Sequence, residues 1–257
     1  MTADSSTAAA FRLDGKTALV TGARSGIGRA IAVGYARAGA DLVLLGRTGD
    51  LGETAEAVRR EGRETQTVAL DLSRPEAVPE SISALLQRRR VDILVNNAGV
   101  IRRGPAEQVG YAAWREVMAV NLDSAFLLAQ ACGAAMARHG SGKIITIGSL
   151  LSFQGGVNVA AYAASKHAVL GMTRALANEW AARGVQVNAI APGYIATENT
   201  RPLREDGERN EAIRARIPAG RWGEAEDIVG AAVFLAAPAS AYVNGHTLVV
   251  DGGWMGR

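Results

Sequence analysis

Seven short runs in this chain, residues 17–21, 42–45, 67–70, 93–95, 144–147, 187–190 and 247–250, are rich in Val, Ile and Leu and read apolar throughout rather than at alternate positions. A strand with that pattern is buried on both faces, unlike the strands of a sheet with one face in water. Between the runs lie stretches with helical spacing of apolar residues: one opening at Gly26, then 51–60, 75–88, 111–138, 161–183 and 224–236. Strands alternating with helices imply a parallel sheet covered by helices on both sides. The expected fold is therefore α/β, a doubly wound parallel sheet of about seven strands, in one domain over 13–257 behind a flexible tail over 1–12. Residues 193–220, polar and arginine-rich, are the least regular part and read as a substrate-binding insertion.

The first run leads directly into Thr21-Gly22-Ala23-Arg24-Ser25-Gly26-Ile27-Gly28, where the first long helix begins. Glycines there let the backbone turn tightly and approach a pyrophosphate, whose charge meets the helix N-terminal amides. At the first strand-to-helix junction this favours a dinucleotide site over a plain turn. The second strand ends Leu45-Gly46-Arg47, where an NAD site normally supplies an acid to the adenine ribose. Gly46 removes the acid and Arg47 adds a guanidinium that either reads a 2′-phosphate or is a solvated loop residue. Asp71 and Leu72 follow the third strand, within reach of an adenine amino group, and Asn97, Ala98 and Gly99 follow the fourth, where small residues let backbone lie along ribose and nicotinamide.

Basic and acidic residues nearly balance, 28 Lys+Arg against 25 Asp+Glu, which is too even for a chain that binds nucleic acid by neutralising phosphates. Only Lys16, Lys143 and Lys166 are lysines, so a lysine here needs a reason. Lys166 stands four residues after Tyr162 in a helical stretch, which puts both on one face. Moving a hydride from a carbinol carbon also requires moving the hydroxyl proton, and a nearby ammonium brings a phenol that ordinarily titrates near 10 toward service as the base. Ser149, at the carboxyl end of the fifth strand, is placed to hold a substrate oxygen, and Asn121 could anchor a water that carries protons out past Lys166. Cys132, alone in an Ala-rich helical stretch, reads as a buried thiol, and the three scattered histidines show no metal-ligand spacing. No metal, no membrane span and no secretory leader are expected, and the expected compartment is cytoplasmic.

These residues together resemble the short-chain dehydrogenases/reductases, on TGARSGIG, Asp71-Leu72, the NNAG ending at Gly99, Asn121, Ser149, Tyr162-Ala163-Ala164-Ser165-Lys166 and Asn188-Ala189-Ile190-Ala191-Pro192-Gly193. The resemblance runs from Leu13 to Arg257 and implies a Rossmann fold binding NAD(P)(H). It also implies Asn121, Ser149, Tyr162 and Lys166 as the catalytic tetrad, Ile195 and Thr197 beyond the Pro192-Gly193 turn against the nicotinamide carboxamide, and a homotetramer. A narrower resemblance, carried by Ile101-Arg102-Arg103, residues 151–156, 194–200, 217–223 and 242–245, is to 2-dehydro-3-deoxy-D-gluconate 5-dehydrogenases, also named 2-deoxy-D-gluconate 3-dehydrogenases. That group is usually NAD-linked, whereas Arg47 leans toward NADP.

A keto or hydroxy sugar acid suits the unassigned arginines, since a carboxylate in a mostly apolar cleft needs a bidentate partner. Arg103 and Arg201 are the leading candidates among Arg102, Arg103, Arg201, Arg204 and Arg221, with Gln154 and Asn199 as hydroxyl contacts. The alternatives are a gluconate 5-dehydrogenase, a 3-oxoacyl-carrier-protein reductase, or a catalytically silent dinucleotide sensor. A sensor would have no need of Ser149, Tyr162 and Lys166 together.

Overall fold

The computed structural model describes residues 7–257. Its strands are β1 (Thr17–Thr21), β2 (Asp41–Gly46), β3 (Thr65–Ala69), β4 (Ile93–Asn96), β5 (Gly142–Ile147), β6 (Val185–Pro192) and β7 (Thr247–Val250). They form one seven-stranded sheet in the order β3-β2-β1-β4-β5-β6-β7, with every neighbouring pair parallel. The helices are α1 (Gly26–Ala38), α2 (Gly52–Arg60), α3 (Val78–Arg88), α4 (Tyr111–Met118), α5 (Ser124–His139), α6 (Ala160–Trp180), α7 (Arg201–Glu205), α8 (Gly207–Arg216) and α9 (Val229–Ala236).

Consecutive strand residues serve different cores, which explains the unbroken apolar runs. Val20, Leu42, Leu44, Ile93 and Val95 pack with Ile31, Tyr35, Val58 and Leu235 on one side. Leu19, Val43, Leu45 and Leu94 pack with Ile82, Leu128, Cys132 and Trp180 on the other. A polar residue at any of these positions would be buried without a partner. β3 is the exception: it lies at the sheet edge with Gln66, Thr67 and Ala69 exposed, so apolar content marks its bounds poorly. Cys132 is fully buried, and burial pushes its thiol up to about 12, which leaves it unreactive.

The stretch expected as one helix over 111–138 is divided by a π turn at Ala119–Asp123 between α4 and α5. Tyr111–His139 is long and apolar enough to cross a membrane by length and composition alone, but Leu128, Ala129, Cys132 and Met136 pack inside the second core. The segment 193–220, expected to be irregular, carries α7 and α8. Ile213 is the one buried residue of α8, so the apolar stripe that betrays a helix in sequence is missing. Of the expected tail, residues 1–6 lie outside the described residues, while Ala9–Phe11 form a short 3-10 turn with the Phe11 ring 6.3 Å from Phe234.

From β1 the chain steps outward through β2 to β3, then returns to β4 on the other side of β1 and steps away toward β7. The loops leaving β1 and β4 thus diverge, and a crevice opens beyond their carboxyl ends.

Candidate active site

A cavity of about 310 Å³ fills this crevice, lined among others by Gly22, Ser25, Gly26, Ile27, Asn97, Ala98, Gly99, Ser149, Tyr162, Lys166, Pro192, Gly193, Ile195 and Thr197. The Thr21 hydroxyl accepts from the Asn97 and Ala98 backbone amides at 3.0 and 2.9 Å, and the Asn97 side chain donates to Thr21 O at 2.9 Å, which ties the β1 and β4 loops together. Gly22 and Gly26 adopt φ of +65° and +55°. A Cβ on Gly28 would lie 2.4 Å from both Gly22 O and the Asn97 side chain, so no larger residue fits there. Ser25 starts α1 without a side-chain capping bond, which leaves the first-turn amides facing the cavity. A glycine cradle under an uncapped helix N-terminus fits the pyrophosphate of a dinucleotide.

At the outer end, the Asp71 carboxylate accepts from the Ser73 amide and hydroxyl, at 3.0 and 2.8 Å. Those bonds, with the positive charge of Arg47 adding to them, hold Asp71 below the usual carboxylate range. Arg24 and Arg47 are exposed, and Leu72 O accepts from the Ser124 hydroxyl at 2.7 Å. Arg24, Gly28, Arg47, Asp71 and Leu72, expected at the cofactor, are not among the residues that line this cavity.

Tyr162 and Lys166 project from α6 into the same space, with the ammonium 5.6 Å from the phenol ring centre. Lys166 is buried and donates to Ile147 O at 2.6 Å. Burial without a carboxylate partner brings its pKa down to about 8. Burial also pushes the Tyr162 hydroxyl upward, opposed by hydrogen bonding to Ser149 and by the charge of Arg103. Ser149 caps the turn after β5, where its hydroxyl accepts from the Leu151 amide at 3.1 Å. Asn121 sits in the π turn, donates to Val100 O at 3.0 Å and to the Ser165 hydroxyl at 3.1 Å, and accepts from the Val100 amide at 2.8 Å. Its side chain therefore ties the loop after β4 to α6 instead of reaching toward Lys166.

A second cavity, about 330 Å³, adjoins the first and shares Ser149, Tyr162, Pro192, Gly193, Asn199 and Thr200 with it. Gln154 lines it and accepts from the Trp254 indole at 3.2 Å. Arg103, Arg209 and Arg216 line it as well, with no Asp or Glu among the lining residues. Arg103 donates to Asn199 O at 3.1 Å, and the Arg216 guanidinium lies 4.0 Å over the Trp254 ring.

A family model described as enoyl-(acyl carrier protein) reductase matches residues 22–255. The 2-dehydro-3-deoxy-D-gluconate 5-dehydrogenase of Bacillus subtilis is 58% identical over 248 residues, covering 96% of this chain and 98% of the relative. The chain belongs to the short-chain dehydrogenase/reductase family. A crystal structure from Beutenbergia cavernae, described as an NAD(P)-dependent gluconate 5-dehydrogenase with NADP at low occupancy, superposes with a TM-score of 0.95 at 58% identity, covering 96% of this chain and 100% of that one. A gluconate 5-dehydrogenase from Burkholderia cenocepacia, in complex with NADP and tartrate, gives 0.94 at 41% identity over 98% and 100%.

Within this short-chain dehydrogenase/reductase, Arg103, Ser149, Gln154 and Asn199, expected as substrate contacts, line the second cavity, and Arg201 does not. Arg201 turns outward to Glu198 at 2.5 Å, because the two stand three apart on one helical face. Arg102 and Arg221 are likewise paired, with Glu116 and Asp227, and Arg204 donates to Thr197 O. Arg209, Arg216 and Trp254 are the lining residues that sequence patterns pass over. The seven-residue spacing of the two arginines on α8 is the one signal that could have found them.

Proposed function

We propose that this enzyme transfers a hydride between NAD(P) and a keto or hydroxy deoxy sugar acid, such as 2-dehydro-3-deoxy-D-gluconate or 2-deoxy-D-gluconate. The observation that carries the reading is the wall shared by the two cavities: a dinucleotide in one and a small polar molecule in the other would meet at Ser149 and Tyr162. The sugar-acid class follows the named relatives and agrees with a pocket whose only charged side chains are arginines.

Gly22, Ser25, Gly26 and Ile27 would hold the pyrophosphate, with Arg24, Arg47, Asp71 and Leu72 around the adenosine. Asn97, Ala98 and Gly99 would border the ribose, and Pro192, Gly193, Ile195 and Thr197 the carboxamide. When bound, the nicotinamide supplies the hydride acceptor or donor and a positive charge in its oxidised form. Ser149 holds the substrate oxygen and Tyr162 takes its proton during oxidation. Lys166 stabilises the phenolate and, through its pKa of about 8, can pass a proton onward. Asn121 positions α6 through Ser165, and any water it anchors would be met by its backbone. Arg47, exposed and beside no acid at Gly46, admits a 2′-phosphate, in keeping with NADP in related structures.

The same reading makes the protein a cytoplasmic homotetramer. An apolar groove of Leu122, Phe126, Leu127, Met172, Ala175 and Leu176 between α5 and α6 supports burial against another copy, and a monomer mass by light scattering at micromolar concentration would overturn it. Initial rates with NAD and NADP against deoxy sugar acids, neutral polyols and a 3-oxoacyl thioester test the activity. Turnover of the acids is expected, and turnover of the thioester alone would refute it.

A further inference from the structure

α8 is an unusual helix because its inward face is basic. Arg209, Ile213 and Arg216 are spaced i, i+4 and i+7, so they share one side, and Ile213 is buried in the cluster with Leu150, Ile217 and Trp254. That burial fixes the helix with both arginines over the second cavity, where Arg103 faces them from the loop after β4. Most arginines of the neighbourhood are neutralised: Arg102 by Glu116, Arg201 by Glu198, Arg214 by Glu211 and Arg221 by Asp227. Arg103, Arg209 and Arg216 have no such partner among the described residues, although α8 itself carries Glu208 and Glu211. The Arg103 and Arg209 guanidiniums belong to the lining of one cavity, and burial, with a smaller repulsion by Arg209, pulls the pKa of Arg103 down against the opposing influence of Tyr162 and Tyr194. Like charges converging on a cavity without a counter-charge are destabilising unless an anion is to sit between them.

We propose that Arg209 is a specificity-determining residue, which together with Arg103 clamps the substrate carboxylate at the end of the molecule away from the reacting carbon. The inference rests on the sugar-acid reading above and names how that pocket recognises its substrate. The clamp has two sides of different origin: Arg103 is anchored to Asn199 O beside Tyr162, while Arg209 comes in on α8. Arg216, stacked on Trp254, contributes charge from the far wall and is a weaker contact because its guanidinium already lies over the indole.

The test compares D-gluconate with D-glucitol, which differ in carboxylate against hydroxymethyl, by calorimetric titration of the protein saturated with NADPH, with which neither hydroxy ligand can react. The wild type binds gluconate more tightly than glucitol. Arg209→Gln weakens gluconate by about tenfold or more and leaves glucitol within about twofold, since a charged hydrogen bond is removed from one ligand only. Arg209→Lys recovers part of the loss, and Arg201→Gln, at an outward ion pair, changes neither ligand. Gluconate binding unchanged in Arg209→Gln, or an equal loss for both ligands, overturns the assignment. Wild-type turnover is measured in parallel: sugar-acid turnover with an unaffected Arg209→Gln variant sinks the clamp alone, whereas a wild type that neither turns over sugar acids nor prefers gluconate sinks the functional reading and the clamp together.

Discussion

Lys166→Met should leave a protein about as stable as the wild type at pH 7 and clearly less stable at pH 11. The ammonium is buried with one hydrogen-bond acceptor, Ile147 O, and its pKa falls from the ordinary 10.5 to about 8. In the unfolded chain the proton stays on up to about pH 10.5, while in the folded chain it leaves near 8. Folding therefore expels a proton between those values, and stability rises with pH across that window; below pH 8 the penalty of holding the charge is fully present. A fall from 10.5 to about 8, at about 1.4 kcal/mol per pH unit, corresponds to about 3 kcal/mol. Methionine removes that penalty at every pH but leaves the Ile147 carbonyl without its partner, which costs about 1–3 kcal/mol independently of pH. The two effects nearly offset at pH 7, and only the second survives at pH 11. Urea unfolding followed by tryptophan fluorescence, at one protein concentration and in half-unit pH steps, gives the difference between the two proteins, in which other titrating groups largely cancel. That difference should move by about 3 kcal/mol in favour of the wild type between pH 7 and pH 11. A difference constant to within about 0.5 kcal/mol would refute a depressed lysine and with it the proton-passing role.

Tyr162→Phe should lower kcat by about 10²–10⁴ while NADP binding by calorimetry is unchanged, and a variant that keeps wild-type turnover would remove Tyr162 as the base. Arg47→Asp should raise the NAD-to-NADP ratio of kcat/KM by about tenfold or more, and an unchanged ratio would make Arg47 a loop residue. Gly133→Ala should destabilise the protein by about 1–3 kcal/mol in urea. Its Cβ would lie 2.2 Å from the Trp180 ring in the core between α5 and α6, and an unmoved midpoint would mean that the ring shifts freely.

The sheet was legible because each central strand feeds two cores, and a residue that must be apolar on both sides leaves a run that is easy to see. For β3 the apolar run at 67–70 begins two residues after the start of the strand, Thr65–Ala69, because an edge strand lacks that requirement. The glycine loop and the Tyr162–Lys166 pair were legible for a different reason: their chemistry fixes residue type and spacing locally. The substrate arginines were not. Which arginine faces the cavity depends on whether an acid three or fourteen residues away captures it, as Glu198 captures Arg201 and Glu116 captures Arg102. Nor does a search for apolar periodicity find α8, whose inward face is two arginines around a single isoleucine.

The π turn at Ala119–Asp123 makes the length of the long helix a functional quantity. A π turn holds one residue more than the α-helical turn it replaces, so deleting a residue there would let α4 and α5 merge into one regular helix. Because the turn absorbs its extra residue locally, the helices on either side would keep their faces and only the residues of the turn itself would be re-aimed. Asn121 could then no longer reach both Val100 and Ser165, and the loop after β4 would lose its tie to α6. Insertions and deletions are usually harmless on surfaces and harmful in cores. Here the shorter chain would form the better helix and the poorer enzyme.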